Sequence, residues 1–222
     1  MSPPHSETRF IVLPGGGYAA HAENETQPIV DWLEGLGIAA SVLRYPLHAR
    51  HPIPLEAVRS EVRRLRETAA GRVGVIGFSA GGHLAGQIAL CDVSDPDTRI
   101  DLAVLGYPIT SMEMDTYRPA QLILLGEDAS PKLRRATSLD ALVTAGAPPF
   151  FIWHTAEDPY VPVEHSYRLG AALAAHEVPH ALHVFSTGPH NLGLARGAGE
   201  PEAWTELAAA WLTAHSQRSL TM

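Results

Sequence analysis

The chain has 222 residues, 45% hydrophobic and 18% charged, the balance of a globular protein large enough to bury a core and not of a disordered one. A formal charge of −8 leaves no basic face to neutralise phosphates, so nucleic acid is not an expected partner. The single cysteine rules out an intrachain disulfide and suits a reducing compartment, and no run approaches the roughly 20 apolar residues of a membrane span.

In chain order, Met1 to Thr8 carry neither the basic region nor the apolar core of a signal peptide, and a cytoplasmic location is expected. An apolar strand is predicted over 9–13, running straight into Pro14-Gly15-Gly16-Gly17-Tyr18. Three glycines after a strand leave backbone N–H groups unshielded, so Gly16 and Gly17 are candidate oxyanion donors. A helix near 26–36, a strand over 38–43 and a helix near 55–70 follow. In that helix Leu55, Val58, Val62 and Leu65 recur at helical spacing, and the arginines from Arg59 to Arg66 form its solvated side.

The next segment is the most specific. A strand over 72–78 meets Gly77-Phe78-Ser79-Ala80-Gly81 and then a small-residue helix near 80–90. Strand, Gly-x-Ser-x-Gly and helix together describe a nucleophile elbow, with Ser79 as nucleophile and the N–H of Ala80 as a further oxyanion donor. Cys91 reads as a small buried residue. A strand over 102–106 is followed by a stretch, 107–147, with only a modest helical pattern near 131–144. Within that stretch Met112 and Met114 have two readings, the wall of an acyl pocket or core filling; Met112 joins Tyr18 as a candidate substrate-binding residue.

The acid and base of such a site follow the serine in the order Asp or Glu, then His. A strand over 150–154 leads to Glu157 and Asp158, and Asp158 is chosen because Val161-Pro162 follows it at the usual distance. After a helix near 165–176 and a strand over 180–185, His190 lies in the last strand's loop, where the base belongs. His83, His154, His180 and His183 fall inside predicted helices or strands and fit less well; the last two lack a third partner for a metal, and none is expected. A helix near 202–215 closes the pattern. Alternating strands and helices imply a parallel sheet covered on both faces, with its site at the carboxyl ends of the strands.

On these residues the chain resembles the α/β-hydrolase esterases of the acetyl esterase and hormone-sensitive-lipase-related group, above all the small acetyl-xylan and feruloyl esterase-like enzymes. The likeness rests on Pro14 to Tyr18, the Leu43-Arg44-Tyr45 strand end, Gly77 to Leu84, Pro148 to Thr155, Asp158 with Val161-Pro162, and His190 with Leu192-Gly193-Leu194. It spans roughly 9–215. Larger relatives have His where this chain has Pro14, and the catalytic His usually follows Gly, whereas His190 follows Pro189. The resemblance implies one α/β-hydrolase domain over 1–222, a mostly parallel sheet of at least six strands with helices on both faces, and a minimal lid within 107–147. It implies a serine carboxylesterase acting on short acyl esters, acetylated sugars among them, with a small-molecule ester as partner and no cofactor. An amide-cleaving enzyme and a catalytically silent binding protein are rival readings on the same fold.

Overall fold

The structure, a computed structural model, describes residues 8–68 and 71–217. Six strands form one sheet: β1 (Thr8–Leu13), β2 (Ala39–Val42), β3 (Arg72–Phe78), β4 (Leu102–Gly106), β5 (Phe150–Thr155) and β6 (His180–Phe185). Their order is β2-β1-β3-β4-β5-β6 and each neighbouring pair is parallel. The inner strands read as near-continuous apolar runs, RVGVIGF, LAVLG and FFIWHT, because helices cover both of their faces. The edge strands β2 and β6 are more open along their lengths.

Among the described residues, seven α-helices surround the sheet: α1 (Gln27–Gly35), α2 (Ile53–Thr68), α3 (Ser79–Cys91), α4 (Arg118–Leu125), α5 (Pro131–Ala136), α6 (Glu164–Ala175) and α7 (Trp204–Gln217). Side chains along a strand alternate between faces, and two cores result. On one face Ile11, Leu13, Val73 and Val75 pack with Leu55 and Val58 of α2, Leu84 and Ile88 of α3 and Leu169 of α6. On the other, Phe10, Val12, Ile76 and Phe78 pack with Ile29 and Leu33 of α1 and Trp204 and Leu212 of α7. Trp153 of β5 stacks on Trp204, ring centroids 5.0 Å apart and planes 10° from parallel. The far end of α7 is tied to the start of β3, where the Arg72 guanidinium donates to the His215 carbonyl at 2.7 Å.

The predicted elements are found with their ends shifted by a few residues. The last two residues predicted for α2, 69 and 70, lie outside the described residues, as do the first seven of the chain. The stretch 107–147 holds more order than expected: α4 and α5 both lie within it. Pro119 opens α4, and Gly126, at φ +92°, ends it. Its Ala120, Leu124 and Leu125 join the α3-side core with Leu139 and Val143, so this stretch is anchored to the body of the domain. Cys91 stands exposed at the end of α3 and is not the buried residue expected. No helix among the described residues is long and apolar enough to cross a membrane.

Candidate active site

The turn from β3 into α3 has no intervening loop: Phe78 ends the strand and Ser79 starts the helix. Ser79 pays for this with φ +53°, a left-handed backbone conformation that residues with a side chain rarely adopt. Gly81 makes the close fit possible. A Cβ there would lie 2.1 Å from the Leu13 carbonyl oxygen, so any other residue would push α3 off the end of β1.

Two loops at the same end of the sheet bring their side chains to this serine. His190, after β6, sets its Nε2 2.8 Å from Ser79 Oγ. Asp158, after β5, sets Oδ2 2.5 Å from His190 Nδ1. The other oxygen, Oδ1, accepts the N–H groups of Tyr160 at 2.9 Å and Val161 at 3.0 Å. This explains why the Val161-Pro162 spacing marks the acid: the chain turns so that its own amides hold the carboxylate. A second imidazole, His154 of β5, brings its Nε2 3.2 Å from Oδ2 and 3.0 Å from the Val161 carbonyl. Both are acceptors, so Nε2 carries the proton, and His154 Nδ1 accepts from the Ser166 hydroxyl at 2.7 Å. Burial alone would raise Asp158, but the hydrogen bonds from His154 and His190, the charge of His190 and the Val161 amide outweigh it and hold the carboxyl well below the usual range. An ionised Asp158 requires a proton on His190 Nδ1, which leaves Nε2 to accept from Ser79. Glu157, its neighbour, is exposed and among the described residues meets only the Gly188 N–H, at 3.4 Å.

The glycine segment after β1 borders the same space. Gly15 donates its N–H to Glu25 Oε2 at 2.6 Å, whereas no described residue accepts the N–H of Gly16 or Gly17. Gly17 has φ +64°, and a Cβ there would stand 2.8 Å from the Tyr117 ring, so a side chain at this position would be strained and would displace that ring. Ala80 is the second residue of α3, and its N–H is among the first-turn donors that have no partner within a helix. The structure thus brings Ser79, Asp158, His190, Gly16, Gly17 and Ala80 to one end of the sheet.

Tyr18 and Met112 are corrections. Tyr18, at φ +62°, turns back into the core, fully buried, and its hydroxyl meets His83 Nδ1 at 2.6 Å. The other nitrogen of His83 donates to the Thr137 carbonyl at 2.7 Å, and burial pushes this imidazole down to about 4. Met112 is also fully buried, packed in the α3-side core. Neither residue borders the cavity over Ser79.

That cavity, about 260 Å³, is bordered by Ser79, His190, Gly16 and Gly17, and by five residues without a role in the sequence analysis: Ala22, Glu25, Tyr117, Tyr160 and Asn191. Tyr117 and Tyr160 are exposed at 39% and 55% and meet edge to face at 5.7 Å; Tyr160 also stands 5.8 Å from the His190 ring. Tyr160 sits in the acid segment, two residues from Asp158, which was the available signal. Glu25 gave none, because its partners are Gly15 and, 82 positions away, Tyr107. Among the described residues, no three His, Cys, Asp or Glu side chains gather as a metal-ligand set.

Comparison with known proteins agrees with this geometry. The BD-FAE family model matches residues 4–173. Endo-1,4-beta-xylanase B of Butyrivibrio fibrisolvens is 33% identical over 209 residues, covering 84% of this chain and 32% of that protein. Acetylxylan esterase of Xylanibacter ruminicola is 31% identical over 207 residues, covering 86% and 42%. The chain therefore spans less than half the length of these two curated relatives. Among solved structures, the acetyl ester-xyloside bifunctional hydrolase of Caldicellulosiruptor lactoaceticus superposes with a TM-score of 0.90 at 35% identity, covering 96% of this chain and 85% of that one. With more than half of its length matched by the family model and 96% of it covered by the superposition on an ester hydrolase, the chain belongs to the BD-FAE family and is a carboxylesterase-like α/β hydrolase.

Proposed function

We propose that this protein is a serine carboxylesterase that hydrolyses short acyl esters, acetylated sugars among them, through Ser79, His190 and Asp158. The observation that carries the reading is the unbroken hydrogen-bonded line from Ser79 Oγ through the His190 ring to Asp158, opening at its serine end into the cavity. The names of the related xylanase and acetylxylan esterase support the sugar-ester part.

In this mechanism Ser79 Oγ attacks the ester carbonyl while His190 Nε2 takes the hydroxyl proton. Asp158 holds the Nδ1–H and stabilises the imidazolium that forms. The tetrahedral oxyanion is received by the N–H groups of Gly16, Gly17 and Ala80, each such donor being worth about 3 kcal/mol of barrier. His190 then protonates the departing alcohol. Water, deprotonated by the same imidazole, attacks the acyl-enzyme, and the acid is released with the proton returned to Ser79. The lone cysteine supports a cytoplasmic place of action.

A panel of p-nitrophenyl esters set against aminoacyl anilides, with wild type and Ser79→Ala, tests the proposal. Ester turnover that falls by about 10⁶-fold in kcat in the variant is expected. Faster cleavage of the anilides would reassign the enzyme to amides, and no turnover of either set would leave the silent binding protein. Equal rates in the two enzymes would remove Ser79 from the reaction.

A further inference from the structure

Glu25 is a fully buried carboxylate that borders the cavity and that the mechanism above does not use. It lies in a short 3₁₀ turn, Glu23–Glu25, between the glycine loop and α1. Oε2 accepts the N–H of Gly15 at 2.6 Å, at the root of the glycine loop. Oε1 accepts the hydroxyl of Tyr107 at 2.5 Å. That hydroxyl in turn accepts the N–H of Gly193 at 2.9 Å, three residues beyond His190, and the Tyr107 ring packs against the His190 imidazole with centroids 4.8 Å apart. The same turn holds the histidine loop twice more. Asn24 Nδ2 donates to the Asn191 carbonyl at 2.8 Å, and the Asn24 carbonyl lies so near Gly193 that a Cβ there would come within 2.7 Å of it.

We propose that Glu25 is a positioning residue that locks the glycine loop and the His190 loop to one another across Ser79, so that oxyanion donors and base keep a common register. The inference rests on the reading of Ser79 and His190 given above. It explains why an ionisable side chain stands where burial opposes its charge. Both oxygens face donors, and a carboxylate is the side chain that only accepts. A glutamine must turn its amide NH₂ either toward the Gly15 N–H or toward Tyr107. In the second case Tyr107 accepts twice and its own proton loses its partner. A protonated Glu25 meets the same conflict, and burial, the largest influence on it, raises this carboxyl while Tyr107, Gly15 and the His190 charge oppose the rise.

The test compares wild type, Glu25→Gln, Tyr107→Phe, the double variant and Ser79→Ala, measuring kcat, KM and Tm with p-nitrophenyl acetate. Loosening a reacting group by an ångström costs about 100-fold. Glu25→Gln and Tyr107→Phe should each lower kcat by about 10- to 100-fold, with KM within about threefold. Because both cut one path, the double variant should lose no more than the weaker of its parents. A packing role would instead show kcat falling only as Tm falls. Should Glu25→Gln fail to fold, Tyr107→Phe carries the test, since it cuts the path to Gly193 while keeping the carboxylate and the ring against His190. A kcat within threefold of wild type in the folded variants, losses that add in the double variant, or a loss confined to KM would overturn the proposal while an inactive Ser79→Ala upholds the triad. An active Ser79→Ala would bring down the reading of the site, and this inference with it.

Discussion

Asp158 Oδ2 is shared by two imidazoles, His190 Nδ1 at 2.5 Å on the cavity side and His154 Nε2 at 3.2 Å on the core side. One faces the cavity and Ser79; the other is held in place within the core by its bonds to Ser166 and Val161. The carboxylate is therefore fixed from behind by a donor that never needs to move, and only the front imidazole responds to Ser79.

Asp158→Asn should lower kcat for p-nitrophenyl acetate by about 10⁴-fold, because an amide selects the wrong imidazole tautomer. Glu157→Gln should be near wild type, its carboxylate touching only a loop amide. Steady-state kinetics on the pair decide it: the reverse ranking would move the acid to Glu157.

His154→Phe should cost about 1–3 kcal/mol of stability by removing a donor from a buried carboxylate and leaving the Val161 carbonyl short of a partner. A fall in kcat of about tenfold should accompany it as Asp158 gains freedom. Urea unfolding and kinetics on one preparation measure both; wild-type values for both would mean that Tyr160 and Val161 suffice to hold the acid.

The pH dependence of stability should carry the signature of His83. Its imidazole is neutral in the fold down to about 4, through burial first and the neighbouring charges of His51 and His165 besides, while the unfolded chain takes up the proton near 6.5. The unfolded state binds more protons between those values, so stability is whole above pH 6.5 and declines as pH falls toward 4, by roughly 2 kcal/mol at pH 5. Denaturant titrations at pH 7.5 and 5 on wild type and His83→Met should show this part of the slope vanish in the variant, and an unchanged slope would contradict it.

Acyl preference should be short. Met112 is committed to the core, and the cavity of about 260 Å³ holds Glu25, His190 and two tyrosines in place of a continuous aliphatic wall. Each added CH₂ contributes about 0.8 kcal/mol only when such a wall buries it. kcat/KM should stay level or fall beyond butyryl; a steady climb to decanoyl would reveal an apolar channel and a lipase-like preference.

The strands and the Ser79, Asp158 and His190 segments were legible because each is written locally: an apolar run, a pair of glycines, an acid separated by two residues from Val161-Pro162. What was illegible depends on distant pairing or on backbone direction. Tyr18 follows the glycine loop in sequence, yet φ +62° sends it into the core toward His83, 65 positions on. The run RPAQLILL is too short for its period to distinguish helix from strand, and α4 was missed. Glu25 reads as an ordinary acid ahead of a helix until the fold sets Gly15 and Tyr107 on its two oxygens.

The Arg72 to His215 bond has a practical consequence. β1 runs from Thr8 toward the cavity and α7 runs back from it, so both described ends of the chain lie together at the pole opposite the tyrosines. Five residue steps of about 3.3 Å separate Thr8 from the catalytic end of its strand. A surface or label attached through the segments that leave these two described ends would therefore start from the side of the sheet away from the cavity.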